Sequence, residues 1–161
     1  MDTTEQTEPS VPKTSSRAVL GGIFWLSHLI ERFAQARLPD FEIPAGMSFS
    51  RALLILAVHN GQRAEASRMS DVAMDIGVTA RTVTTMVDSL ERDGLMVRRP
   101  DRHDRRVIQL ELTADGDALV PVLSRALETI GAAFLSPLGE SGQAALLVLL
   151  DRLIERDPSE S

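Results

Sequence analysis

The stretch RTVTTMVDSLERDGLMVRRPDRHDRRVIQLEL, Arg81 to Leu112, changes its periodicity partway along, and that change decides the fold. In its first part Val83, Met86, Val87 and Leu90 recur at steps of three and four, the spacing of one helical face. Thr79 just upstream is a good N-cap, and the helix is expected to run from Ala80 to about Arg92, closed by Gly94. Two short runs follow, Leu95 to Arg99 and Val107 to Leu112. In the second, Val107, Gln109 and Glu111 alternate with Ile108, Leu110 and Leu112, as in a half-exposed antiparallel strand. Between the runs lies RRPDRHDRR, Arg98 to Arg106, where five of nine residues are arginine.

Working upstream, Ser67 or Ser70 starts a short helix through Val72, Ala73 and Ile76 that ends at Gly77. Only Gly77-Val78-Thr79 then separates it from the Ala80 helix, which is the sequence form of a helix-turn-helix with glycine at the corner. That spacing alone is common. A two-stranded ribbon directly after the second helix makes the unit a winged helix, with RRPDRHDRR as the wing.

The charge distribution bears on the partner. The chain has a net charge of -6 and a pI near 5.1, yet Arg92 to Arg106 holds six arginines against three aspartates. That segment is at +3, so the remainder stands at -9. The field met by a polyanion is set by the surface that faces it, so an acidic chain with a local cationic cluster is compatible with a nucleic-acid partner. The plainer alternative is a solvated loop tied up in its own ion pairs.

With 161 residues the chain can form one compact domain, or a small domain with helical extensions. It has no cysteine, which excludes disulfides, thiolate zinc sites and thiol switches and fits a reducing cytoplasm. The N-terminal MDTTEQTEPSVPKTSS lacks the basic start and apolar core of a secretory signal. The longest apolar run, Ala144 to Leu150, is too short to span a bilayer, so a soluble, cytoplasmic protein without a membrane partner is expected. No metal site, cofactor or catalytic residue is expected. His28, His59 and His103 fall on separate elements, and no H-E-x-x-H, G-x-S-x-G or phosphate-loop pattern occurs.

The outer segments read as helices. Ser15 or Ser16 caps one running to about Arg37, with Val19, Ile23, Leu26, Ile30 and Phe33 as a core stripe and Phe24, Trp25 and His28 on another side. A second, near Ser48 to His59, carries Leu53, Leu54, Leu56 and Ala57 and is expected to stop at Asn60-Gly61. Thr113 caps a third, striped by Leu119, Leu123, Ala126, Leu127, Ile130 and Phe134 and broken at Pro137-Leu138-Gly139. The last, roughly Ser141 to Glu155, is apolar around most of its circumference, more than one neighbouring helix can cover. Burial in a subunit interface explains this, with intramolecular core as the alternative.

The expected fold is therefore mainly α with a small antiparallel β-wing: a winged helix-turn-helix with N- and C-terminal dimerisation helices. Residues 1–14 and 157–161 are expected to be disordered tails. Helices over 15–60 provide dimerisation and the link to a DNA-binding lobe over 61–112, and 113–156 supplies the C-terminal dimerisation helices. Opposite the Val83 stripe stand Arg81, Thr82, Thr84, Thr85 and Asp88. Arginine pairs bidentately with guanine, and threonine bonds phosphate or touches a thymine methyl. Arg81 is the preferred base reader, with Thr82, Thr84 and Thr85 supporting it, and Asp88 is expected to turn to a neighbouring cation. Arg98, Arg99, Arg102 and Arg105 are assigned to phosphates, with His103 simply exposed at the wing tip.

The run RTVTTMVDSLERDGLMVRRPDRHDRRVIQLELTADGDAL, Arg81 to Leu119, resembles the MarR family of winged-helix transcriptional regulators. The shared elements are R-x-V-T-x-x-V-D-x-L-E on the recognition helix, the D-G-L that ends it, D-R-R in the wing, and L-T-x-x-G at the next helix. Ser70-Asp71-Val72-Ala73 departs mildly from the Glu-Leu-Ala type of sequence common there. The resemblance implies a homodimer that presents two winged helices to double-stranded DNA with an inverted-repeat operator, about one helical turn or ~34 Å apart. It implies that Arg106 enters the minor groove and that Asp104 holds it there. It also implies a small aromatic or anionic effector bound between dimerisation helices and lobe, for which Phe24, Trp25, His28 and Arg32 are the candidates, unless these residues pack in the dimer. The expected function is sequence-specific transcriptional regulation, a repressor released by its effector. A winged-helix protein-protein adaptor without sequence-specific DNA binding is the alternative.

Overall fold

The computed structural model describes residues 15–63, 68–101, 104 and 106–154. The expected tails, Ser67, Arg102, His103 and Arg105 lie outside the described residues. The elements run α1 (Ser16–Arg37), α2 (Phe49–Arg63), α3 (Met69–Asp75), α4 (Ala80–Arg92), β1 (Met96–Pro100), β2 (Ile108–Leu112), α5 (Ala114–Leu135) and α6 (Gly139–Ile154). Short 3-10 turns at Leu38–Asp40 and Ser136–Leu138 follow α1 and α5.

The periodic residues of α4 do what their spacing requires: Val83, Met86, Val87 and Leu90 are all buried. They meet Leu54, Ile55 and Val58 of α2, Val72 and Ala73 of α3, Leu110 and Leu112 of β2, and Leu123 of α5 in one core. Burying each large side chain contributes roughly 1.5–3 kcal/mol, which is what holds so short a helix as α3 in place. Gly94, at φ 72°, ends α4 in the left-handed conformation, and the Leu95 amide then donates to the Leu90 carbonyl at 2.9 Å. This reverses the chain directly into the wing. There β1 and β2 pair antiparallel, with Met96 opposite Leu112 and Pro100 opposite Ile108. Arg68, just before α3, adds a single bridge to Gln109, a third contact to the ribbon that the sequence reading did not anticipate.

Two helix expectations need correction. First, α2 does not stop at Asn60-Gly61 but continues to Arg63, with Gly61 buried. Tertiary packing overrides a local stop signal. Second, the α1 stripe does not join the core along its length. Ala34 is buried and Ile30 and Phe33 are half-buried, but Val19, Ile23 and Leu26 are exposed by 44%, 45% and 38%. The first turns of α1 lie beyond the reach of the lobe.

A smaller core of Ala34, Leu38 and Ile130, with Phe33, Phe41, Phe49 and Leu127 around it, fastens the C-terminal end of α1 to α2 and α5. In α6 no residue is buried, so its apolar circumference finds no intramolecular core. The helical stretch Ala114–Ile154 is by length and composition apolar enough to cross a membrane, with a mean hydropathy of 1.5 in its window. The stretch is interrupted at Gly139, φ 61°, and its α5 part buries Val120, Leu123, Ala126 and Ile130 in its own chain, as a core helix does.

Candidate nucleic-acid interface

Helix α4 begins at Thr79, whose hydroxyl oxygen accepts from the Thr82 amide at 3.2 Å. Its outward face carries Arg81, Thr82, Thr84, Thr85 and Asp88, all exposed. The threonine hydroxyls are partly committed. Thr84 donates to the Ala80 carbonyl at 3.0 Å and Thr85 to the Arg81 carbonyl at 3.2 Å, while Thr82 shares a 2.9 Å bond with Thr79. A phosphate oxygen only accepts, so in these rotamers Thr84 and Thr85 offer their methyl groups and hydroxyl lone pairs to a ligand rather than a free proton.

Arg98 is not available as a phosphate contact, which corrects its expected role. Its guanidinium donates to the Asp88 carboxylate at 2.7 Å, to Glu91, and to the Thr84 carbonyl at 3.4 Å. Glu91 also accepts from the Arg98 backbone amide at 3.0 Å. One arginine on β1 thus binds two carboxylates and a carbonyl of α4, fixing wing and helix relative to each other. Asp88 does turn to a neighbouring cation, as expected, and that cation is Arg98.

Replacing Arg98 with Gln is expected to weaken duplex binding about tenfold without changing the slope of log affinity against log salt, because no phosphate contact is lost. Loss of a phosphate-binding arginine lowers that slope by roughly one. Fluorescence anisotropy across a salt series reads the difference, and a lowered slope for Arg98→Gln would contradict the clamp.

The described part of the wing tip is closed by backbone bonds. Asp101 donates to the Val107 carbonyl at 2.9 Å, and Val107 donates to the Asp104 carbonyl at 2.9 Å. The Asp101 carboxylate accepts from the Asp104 amide at 3.0 Å and also meets Gln109. The Asp104 carboxylate accepts the Arg106 amide at 3.0 Å, so Asp104 positions Arg106 through its backbone. Arg106 is exposed, and among the described residues neither its guanidinium nor that of Arg81 is held in an ion pair. Arg99 is 3.5 Å from Glu111, with its side chain 63% exposed. A pair so open to water is weak and leaves the cation free to exchange partners.

Further from the face, Arg51 of α2 pairs with Asp93 at the C-terminal end of α4 and donates to the Gly46 carbonyl at 3.2 Å. The Gln35 side chain of α1 donates to the Met47 carbonyl at 3.3 Å and accepts the Phe49 amide at 3.0 Å. These side chains join α1, α2 and the recognition helix, and the sequence reading missed both. The D-G-L motif marked Asp93 as a helix end but held no signal naming its partner.

The effector candidates Phe24, Trp25, His28 and Arg32 sit exposed on α1. The Phe24 and His28 rings lie 4.6 Å apart, tilted by 54°, and the His28 ring is 3.0 Å from the Phe24 carbonyl. None of the four lines the cavity of about 280 Å³ between α1, α2 and α5, whose wall includes Ile30, Phe33, Ala34, Phe49, Leu53, Ile130, Gly131 and Phe134. Helical periodicity turns the two groups to different sides of α1.

The family model for MarR matches residues 50–108, which hold α2 from its second residue, the helix-turn-helix and the wing up to the first residue of β2. This winged-helix lobe is thus similar to that of the MarR family. Among curated relatives, the HTH-type transcriptional repressor MdtR of Bacillus subtilis is 37% identical over 73 residues, 45% of this chain and 47% of that protein. The repressor YetL of the same organism is 28% identical over 93 residues, 58% of this chain and 50% of its own length. The chain thus spans about half the length of these two relatives. A solved structure of BpsR from Bordetella bronchiseptica, described as regulated in DNA binding by 6-hydroxynicotinic acid, superposes with a TM-score of 0.72 at 20% identity. The match covers 93% of this chain and 100% of BpsR, so the likeness of fold extends beyond the lobe to the outer helices.

Proposed function

We propose that this protein is a cytoplasmic, homodimeric transcriptional repressor that binds an inverted-repeat operator in duplex DNA and is released by a small-molecule effector. The observation that carries the reading is the Arg98 clamp: it fastens wing to recognition helix while the Arg81 and Arg106 side chains stay outside any ion pair among the described residues. Within this reading Arg81 reads base edges in the major groove and Arg106 enters the minor groove, where negative potential is concentrated. Arg99, Arg102 and Arg105 meet phosphates. Thr82, Thr84 and Thr85 line the groove, and Asp104 sets the Arg106 backbone.

The dimer is supported by the apolar surface left open on α1 and α6, including Phe24 at 69%, Trp25 at 59% and Ile154 at 78% exposure. A second copy covers it in a two-fold arrangement, placing two α4 helices about one turn of DNA apart, ~34 Å. Release by an effector requires unequal affinity for the DNA-competent and incompetent lobe spacings.

Selecting bound duplexes from a random pool is expected to return an inverted-repeat consensus. Arg106→Ala should then weaken that operator by roughly 1–3 kcal/mol, and Arg81→Ala should also relax sequence choice. If both variants bind like the parent, the DNA face is wrongly assigned. If duplex binding shows no salt dependence, the adaptor reading replaces this one.

A further inference from the structure

We propose, resting on the DNA-binding reading above, that Thr84 and Thr85 read thymine methyl groups in the major groove. Each half-site then carries a thymine within about two base pairs of the base that Arg81 reads.

A threonine on a recognition helix can offer a duplex a hydroxyl proton, for a phosphate or carbonyl oxygen, or a methyl group for an apolar contact. In α4 the protons of two threonines are already engaged. Thr84 donates to the Ala80 carbonyl at 3.0 Å and Thr85 to the Arg81 carbonyl at 3.2 Å. Releasing either proton means turning a β-branched side chain, whose rotamers in a helix are few, and breaking its bond to the backbone. Thr82 differs. Its 2.9 Å bond with Thr79 can run in either direction, so Thr82 keeps a proton for a phosphate.

The methyl groups have a matching partner. Among the bases thymine presents a methyl in the major groove, where adenine, guanine and cytosine present polar groups. Two methyls that meet there leave water together, whereas a methyl set against a polar edge desolvates it and gives no bond in return. Both threonines are exposed, and their short side chains let the backbone of α4 come close to the bases. Thr84 and Thr85 stand three and four residues beyond Arg81, so both neighbour it on the helix surface. The rise from Arg81 to Thr85 is ~6 Å, the height of about two base steps. Arg98 fixes the register: its guanidinium donates to Asp88 at 2.7 Å and to the Thr84 carbonyl at 3.4 Å, so α4 cannot roll about its axis without breaking these bonds.

Operator duplexes from the random-pool selection test this when deoxyuridine replaces thymine, one symmetric pair of positions at a time, because that change removes only the methyl group. Fluorescence anisotropy with the parent protein is expected to find a sensitive pair within about two base pairs of the guanine that Arg81→Ala ceases to select. Uracil there should weaken binding about tenfold, from roughly three- to fourfold per methyl in each half-site. Elsewhere uracil should leave affinity unchanged. Replacing both threonines with Val keeps the methyls and drops the hydroxyls, so this variant should retain parental affinity and the same penalty for uracil. Replacing both with Ser does the reverse, and that variant should bind about tenfold more weakly and no longer tell thymine from uracil. Helical dichroism and melting curves check both folds, and the uracil series on the parent protein carries the test if either variant does not fold. A consensus without thymine in that interval, uracil tolerated at every position, a serine variant that still prefers thymine, or a folded valine variant as weak as the serine one each overturns the proposal. These outcomes leave operator binding standing, whereas a selection that returns no consensus removes operator binding and the methyl contacts together.

Discussion

Gly116→Ala is expected to destabilise the protein by about 3 kcal/mol, although alanine normally favours a helix. A Cβ on Gly116 would overlap the Leu95 carbonyl oxygen, and it would lie 3.1 Å from that carbonyl carbon and 3.3 Å from the Leu112 Cβ. The backbone it strikes has no room to yield. The Leu95 amide is bonded to Leu90 and its carbonyl accepts the Thr113 amide at 3.2 Å, while the Thr113 hydroxyl donates to Gly94 at 2.7 Å and accepts the Gly116 amide at 3.1 Å. To admit the methyl group, α5 must draw back from the root of the wing, which opens the packing of Val120 and Leu123. The natural control lies in the same helix: Gly131→Ala meets nothing and is expected to stabilise by up to about 1 kcal/mol. Urea denaturation of both variants reads the opposite signs. A Gly116→Ala protein as stable as the parent would show that α5 is not seated on Leu95. Operator affinity should fall along with stability in Gly116→Ala, because the same carbonyl anchors the wing.

Much of this lobe was legible because its signals are local. The α4 stripe, the Thr79 and Thr113 caps and the turn at Gly94 each depend on residues within a turn or two, and the structure places them as read. Arg98 was misassigned although a local signal existed. Side chains alternate along a strand, so Arg98 shares a face with buried Met96 while Arg99 points the other way, and counting charge in the cluster hid that difference. What Arg98 meets there depends on how the ribbon lies against α4, which no spacing in the chain reveals. The cavity was invisible for the same reason. Its wall comes from three helices far apart in sequence, whereas the effector candidates Phe24, Trp25, His28 and Arg32 are neighbours on α1 alone. Asn60-Gly61 was read as a stop because glycine usually is one, but burial of Gly61 within α2 outweighs that preference.

The outer helices pose the question a single chain leaves open, and charging their exposed surface gives the largest expected effect on DNA binding. Leu149 and Leu153 stand one turn apart on α6, exposed by 56% and 52% in their own chain. Replacing both with Glu should therefore leave the lobe folded, since neither contributes to a core within the chain. In a two-fold dimer each change occurs twice. Burial of a leucine contributes roughly 2 kcal/mol, and a carboxylate facing an apolar partner adds a desolvation cost, so the association should fail at micromolar concentration. Light scattering is expected to give a mass near the 17.6 kDa of one chain. Operator affinity should fall by about 10²–10⁴, the advantage lost when two half-sites can no longer be held together. The melting transition of the lobe should survive, which separates lost pairing from unfolding. A double variant that keeps twice the chain mass and parental affinity would remove α6 from the interface and leave its apolar surface without an occupant.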